Sequence, residues 1–262
     1  MIVFGAICPH PPIIIPEVGK ENTNRVQKTI AAMEKLAKDF AASRVDTVIV
    51  ISPHGPTFAD CFNVRAAEIF HGNLSMFGTP KVELKLPGNK RLANAVAHAA
   101  NGVNLPTKLL SSPELDHGII VPLYFLLKNL SYSPTLIPIG FSNLPLRDHY
   151  QLGEMIARVC EPKLNRVAIV ASGDLSHRLT VEAPAGFSPR GQEFDEKLIE
   201  LLKRGDTEGI ISLDPQLIEE AGECGLRSIV ILLGALSSLH SQLSILSYEG
   251  PFGVGYLVAK LR

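Results

Sequence analysis

The chain has 262 residues, 46% of them hydrophobic and 19% charged, which is enough apolar material to bury a large core in a single α/β unit. Its formal net charge is -1, from 25 basic and 26 acidic residues, so it lacks the basic footprint that nucleic acid or an anionic membrane would select. The four cysteines are scattered with no CxxC pair, which argues against a disulfide framework or a zinc ribbon and for a reducing cytoplasm.

The run Met1 to Cys8 is apolar without helical spacing, as expected of a strand buried on both faces. Pro9, Pro11 and Pro12 stop it and place His10 in a stiff turn at its end. No targeting segment is expected, since no basic residue precedes the run and no small-residue cleavage site follows it. Glu21 to Ala42 predicts a long amphipathic helix with Val26, Ile30, Met33, Leu36 and Phe40 on one face. Thr47 to Ser52 predicts a second buried strand ending at Pro53-His54-Gly55, and strand, helix and strand together imply a parallel, right-handed βαβ unit.

Beyond Gly55 the pattern weakens. Asn63 to Phe70 and Lys81 to Leu86 read as strands around a loop from Gly72 to Pro80, and Asn89 to Ala100 as a helix. Leu115-Asp116-His117-Gly118 precedes a buried helix, Ile119 to Leu127. A strand at Ser133–Ile139 and a helix at Leu144–Val159 lead to a third buried strand, Arg166 to Ser172, which runs into Gly173-Asp174-Leu175-Ser176-His177. Arg190 to Arg204 predicts a helix, and Thr207–Ser212 and Pro215–Ala221 short helical pieces. Gly222-Glu223-Cys224-Gly225 opens a nearly all-apolar helix, Leu226 to Leu239, whose most hydrophobic stretch, Ile229 to Leu236, is far shorter than the roughly 20 residues a membrane span needs. Strands at Ser241–Tyr248 and Phe252–Leu261 follow. With no linker or internal repeat beyond the recurring strand–turn–His unit, residues 1–262 form one expected domain, its ligands at the carboxyl edge of the sheet.

Of the eight histidines, His10, His54, His117 and His177 sit in turns rich in Pro, Gly or Asp beside apolar elements, while His71, His98, His149 and His240 read as solvated side chains. One such turn histidine alone is better read as a hydrogen-bonded structural residue. Four in like settings favour a shared site. Two imidazoles and a carboxylate make the facial triad that holds non-haem Fe(II), and further histidines could move protons near neutral pH. Glu223, between two glycines ahead of a buried helix, reads equally as that carboxylate or as a first-turn glutamate favoured by the helix dipole. Asp116 and Asp174 are rival carboxylates, or partners that orient the histidines. No GxGxxG, P-loop, HExxH or GxSxG occurs, and Ser176 beside His177 is poorly placed as a nucleophile–base pair.

Cys8-Pro9-His10-Pro11-Pro12, Ser52-Pro53-His54-Gly55, Leu115-Asp116-His117-Gly118 and Gly173-Asp174-Leu175-Ser176-His177, in that order, resemble the signature of class III extradiol ring-cleavage dioxygenases. That family includes the protocatechuate 4,5-dioxygenase catalytic (beta) subunit. Gly222-Glu223-Cys224-Gly225 fits its late carboxylate position. The resemblance implies a single three-layer α/β/α domain with a mixed, mostly parallel central sheet. It further implies Fe(II) held by His10, His54 and Glu223, with His177 as the acid–base residue and His117 assisting at substrate or oxygen. A small catecholic or aminophenolic substrate would be opened with O2, in a homo-oligomer with or without a small partner subunit.

Related Memo-type proteins share this scaffold but place a cysteine near the carboxylate position. Since Cys224 directly follows Glu223, the alternative is a metal-binding protein without dioxygenase activity, using His10, His54 and Cys224; a soft thiolate would favour copper or zinc over Fe(II). A hydrolytic metalloenzyme would instead need zinc and no oxygen.

Overall fold

A computed structural model describes residues 1–161, 165–239 and 243–261. The chain folds as β1 (Ile2–Cys8), α1 (Pro16–Gly19), α2 (Gln27–Ala42), β2 (Thr47–Ser52), β3 (Phe62–Arg65), β4 (Ile69–Leu74), β5 (Thr79–Pro87), α3 (Lys90–Asn101), β6 (Thr107–Leu110), α4 (His117–Leu126), β7 (Thr135–Gly140) and α5 (Leu146–Cys160). It continues through β8 (Val167–Ser172), α6 (Pro189–Arg204), α7 (Thr207–Ile211), α8 (Pro215–Ala221), α9 (Leu226–Leu236), β9 (Leu243–Glu249) and β10 (Tyr256–Leu261). Among the described residues no helix is long and apolar enough to cross a membrane.

Eight strands form one sheet in the order β6-β3-β7-β2-β8-β1-β10-β9. The centre, β7-β2-β8-β1, is parallel throughout. Antiparallel pairing enters at β3 against β7 and at β10 against β1 and β9, so the sheet is mixed but mostly parallel at its core. Every residue of β2 and β8 is buried, as apolar runs covered on both faces require. Alternate side chains then feed two cores. Ile7, Ile49, Ile51 and Ile169 pack with α3, α5, α6 and α9; Phe4, Ala6, Val48 and Val50 pack with α2 and α4. This is the expected three-layer α/β/α domain. In α9, Ile229, Val230, Ile231 and Leu232 are wholly buried, each contributing about 1.5–3 kcal/mol, which ties the helix to the sheet before its N-terminus is used for anything else.

Several boundaries differ from expectation. The first long helix begins at Gln27, because Lys20 takes φ 48° and residues Lys20–Arg25 wind as a 3-10 helix. The strand expected over Asn63–Phe70 is two: β3 stays in the main sheet, and β4 leaves it to pair with β5 in a separate hairpin that includes most of the expected loop. β6, a four-residue edge strand, was not expected from the sequence. α9 ends at Leu236 and passes into a 3-10 turn, and part of the strand expected from Ser241, with His240 before it, lies outside the described residues.

Candidate metal centre

Because β1, β2 and β8 are parallel neighbours, their carboxyl ends bring the following turns together. His10 comes from the first and His54 from the second, while His177 follows the third. His117 enters as the first residue of α4. The rings cluster: His10 and His54 centroids are 4.6 Å apart, His54 and His117 4.1 Å, and His10 and His117 5.5 Å.

The tautomer of His10 is fixed by its surroundings. Ser172 Oγ donates its single hydrogen to the Gly118 carbonyl, so at 3.0 Å from His10 Nδ1 it can only accept. His10 therefore carries its proton on Nδ1 and turns the Nε2 lone pair inward, the arrangement in which metal-ligating histidines are held. The Asp174 carboxylate accepts the His10 backbone N–H at 3.1 Å and holds the turn itself. His54 is braced through Ser52, whose Oγ accepts the His54 backbone N–H at 3.3 Å and donates to Asp116 Oδ1 at 2.5 Å. Asp116 is paired in turn with the buried Arg65 guanidinium at 3.2 Å. Both rival carboxylates thus support the histidine turns.

His10 Nε2 lies 2.9 Å from His54 Nε2 and 3.6 Å from Cys224 Sγ, and the three donor atoms all fall within 4.8 Å of one another. With metal–nitrogen distances of about 2.05 Å and metal–sulfur of about 2.3 Å, one ion subtends about 2.9 Å between two nitrogens at a right angle and about 3.6 Å between nitrogen and sulfur at a tetrahedral angle. Both spacings from His10 Nε2 fit one shared ion.

Glu223 is placed differently. Its side chain is 2% exposed, its carboxylate accepts the Leu226 N–H at 2.6 Å at the start of α9, and Arg227 stands 3.8 Å away. Of the two sequence readings it takes the helix-terminus one, and it is not among the donor atoms brought together at His10 and His54. The turn that carries Glu223 and Cys224 is tightly fixed. Gly222 caps α8 at φ 61°, and Gly173 lies so close to Gly225 that a Cβ on it would fall 2.2 Å from the Gly225 Cα.

Burial holds the four histidines neutral. It drives His10 well below the usual imidazole range, with His54, His117 and His177 adding to the shift. Burial lowers His54 against the opposing pull of Asp116, takes His117 down to about 4, and lowers His177. Neutral imidazoles are the form a metal needs. Burial, with Asp174 and Glu223 adding to it, pushes the Cys224 thiol up; a cation would reverse that and displace its proton. His177 Nδ1 is buried without a hydrogen-bond partner of good geometry, and the Gly222 and Leu175 backbones act on the same ring. The Phe77 ring, from the turn between β4 and β5, meets His117 edge-on at 5.2 Å and gives the cluster an aromatic wall.

The described histidines expected to be solvated divide. His71 and His98 are exposed, but His149 is fully buried: it lies on the same α5 face as Leu152 and Ile156, with Nδ1 2.9 Å from the Pro145 carbonyl.

Residues 5–259 match the family of the catalytic LigB subunit of aromatic ring-opening dioxygenase. The chain belongs to that family. It is 37% identical over 98% of its length to Protein CA_C1420 of Clostridium acetobutylicum, of which it spans 56%. It is 25% identical to a 3,4-dihydroxyphenylacetate 2,3-dioxygenase of Escherichia coli, covering 86% of each chain. A 2-aminophenol 1,6-dioxygenase beta subunit of a Pseudomonas species is 26% identical over 84% of this chain and 80% of its own. The crystal structure of an uncharacterized Escherichia coli K12 protein, JW3007, superposes with a TM-score of 0.66 at 17% identity, covering 99% of this chain and 100% of that one, and shares the fold.

Proposed function

We propose that this chain is a metal-binding member of the ring-opening dioxygenase family whose ion is held by His10, His54 and Cys224. The observation that carries this reading is the convergence of two imidazole nitrogens and one thiol within 4.8 Å, with the His10 tautomer already set for ligation. Two histidines and a thiolate are a softer set than the Fe(II) facial triad and favour copper or zinc. The triad itself does not fit the residues as they stand, because the Glu223 carboxylate is engaged at the α9 N-terminus. A bound ion would supply Lewis-acid or one-electron chemistry to a ligand at its open side. The unpartnered His177 Nδ1 would be available to take or give a proton, and His117 with Phe77 would wall the cluster on one side.

Ring opening of a catechol or aminophenol by O2, with Fe(II) on His10, His54 and Glu223, is the second reading. Family membership and the activities named for two relatives favour it, as does the placement of His117 beside His54 with His177 as the acid–base group. It requires Glu223 to leave Leu226 and turn toward the histidines. The family description, a catalytic subunit, and the beta subunit among the relatives support assembly with a further copy or a small partner.

The two readings separate by anaerobic loading with Fe(II), copper and zinc, followed by metal analysis and oxygen uptake with catechol, protocatechuate and 2-aminophenol. The first reading expects Cys224→Ser to weaken metal binding about tenfold or more, with Glu223→Gln neutral. Iron and oxygen uptake lost in Glu223→Gln but kept in Cys224→Ser would overturn it in favour of the second.

A further inference from the structure

A cleft of about 720 Å³ opens on the Glu223 side of the Gly222–Gly225 turn, between the loop that follows β7 and the α7–α8 pair. Neither Cys224 nor any histidine of the cluster lines it. Its size is that of a small-molecule site, about 300–1,000 Å³.

Two features define what would fit. Leu144, Leu146, Ile211 and Ile218 line the cleft and are only partly covered by the core they pack against, so apolar surface remains for a ligand. Arg227 supplies one positive charge. Its guanidinium lies 5.8 Å from the Phe141 ring, its Nε is buried without a partner, and its side chain is 30% exposed. Its carboxylate partner, Glu223 at 3.8 Å, is shared with the Leu226 N–H. Arg227 is thus incompletely neutralised. A guanidinium whose buried Nε–H lacks an acceptor and whose carboxylate partner stands 3.8 Å away is costly in a half-buried cleft, and a ligand carboxylate at its exposed end would add a forked, charge-assisted pair.

We propose that this cleft binds a small monoanion with an apolar body, an aryl or alkyl carboxylate whose head meets Arg227 and whose body lies on Leu144, Leu146, Ile211 and Ile218. A phosphate would waste those walls, and a second negative charge would meet the exposed Glu219, which also lines the cleft. The site uses none of His10, His54 and Cys224.

Titration calorimetry of the full chain with benzoate and octanoate, with inorganic phosphate as control, tests this. Submillimolar binding of either carboxylate is expected, about tenfold or more weaker in Arg227→Gln and unchanged in Cys224→Ser, with phosphate weaker than both. Equal binding in Arg227→Gln, or no binding of either carboxylate at about 10 mM, overturns the proposal. Loss in Cys224→Ser instead would put the carboxylate at the metal cluster and overturn it too. Should Arg227→Gln fail to fold, Ile218→Trp fills the cleft from its partly exposed wall: abolished binding supports the site, and retained binding overturns it.

Discussion

Asp195 buttresses the loop that carries His177, and replacing it with Asn should remove a stability penalty that grows with pH. The carboxylate is wholly buried, accepting the Ser176 N–H at 2.8 Å and the Tyr248 hydroxyl at 2.6 Å. Burial pushes its pKa from 3.8 up to about 7, with Glu223 and Glu196 adding and the two hydrogen bonds opposing. The folded state therefore binds more protons than the unfolded state between about pH 4 and 7, so this stability is full below pH 4 and lost as pH rises through 7. At 1.36 kcal/mol per pKa unit, the shift costs about 4 kcal/mol in full, of which about 2.5 kcal/mol falls between pH 5 and pH 8. An Asn keeps the shape, accepts from Ser176 and donates to Tyr248, but does not titrate. Asp195→Asn should thus gain on the wild type by about 2–3 kcal/mol between pH 5 and pH 8, or about 5–10 °C in melting temperature for a chain of this size. Denaturant unfolding of both proteins at pH 5, 6, 7 and 8 reads the gap directly. A gap that stays constant across that range would refute the assignment, whatever its size.

Ser52→Ala removes the hydroxyl that joins the His54 turn to Asp116, and should weaken metal binding about tenfold to a hundredfold; unchanged affinity in a chelator competition would free His54 of that brace. His149 is buried and neutral, its pKa held down at about 4 from 6.5, so the stability it contributes is present above pH 6.5 and lost as pH falls through 4. That amounts to about 3 kcal/mol; His149→Gln should lose this part of the acid slope, and an identical slope would place the sensitivity elsewhere. Gly173→Ala drives a Cβ to 2.2 Å from the Gly225 Cα, and thermal melting should show a loss of about 1–3 kcal/mol together with lower metal content; a wild-type melt would mean the two turns can part.

How much of this was legible in the sequence follows from how each element is stabilised. β1, β2 and β8 are covered on both faces, so unbroken apolar runs announced them, and the proline or glycine after each located His10, His54 and His177 at one sheet edge. β6 could not be read that way: it has four residues, two of them exposed, and Lys108 interrupts its apolar character. β4 alternates exposed and buried positions around Gly72 and borrows its strand character from β5, a pairing that no local pattern records. His149 was different, since its spacing to Leu152 and Ile156 is the buried stripe of α5 and the signal was present.

The third ligand marks the limit of sequence reading. Glu223 and Cys224 are consecutive in a turn with no periodicity, so nothing along the chain says which one faces the histidines. On the reading proposed above it is the cysteine, and the turn supplies a reason. A carboxylate placed three residues before Leu226 can take the first free N–H of α9 and meet the positive end of its dipole, where it gains most. The thiol is a poor acceptor for such a donor, but at 3.6 Å from His10 Nε2 it becomes a strong ligand once a cation displaces its proton. With Gly173 and Gly225 holding the turn against β8, exchanging the two side chains would leave α9 uncapped and seat a carboxylate where Asp174 already supplies negative charge. On the proposed reading the glutamate serves the helix and the cysteine would serve the metal, each being the better partner where it stands.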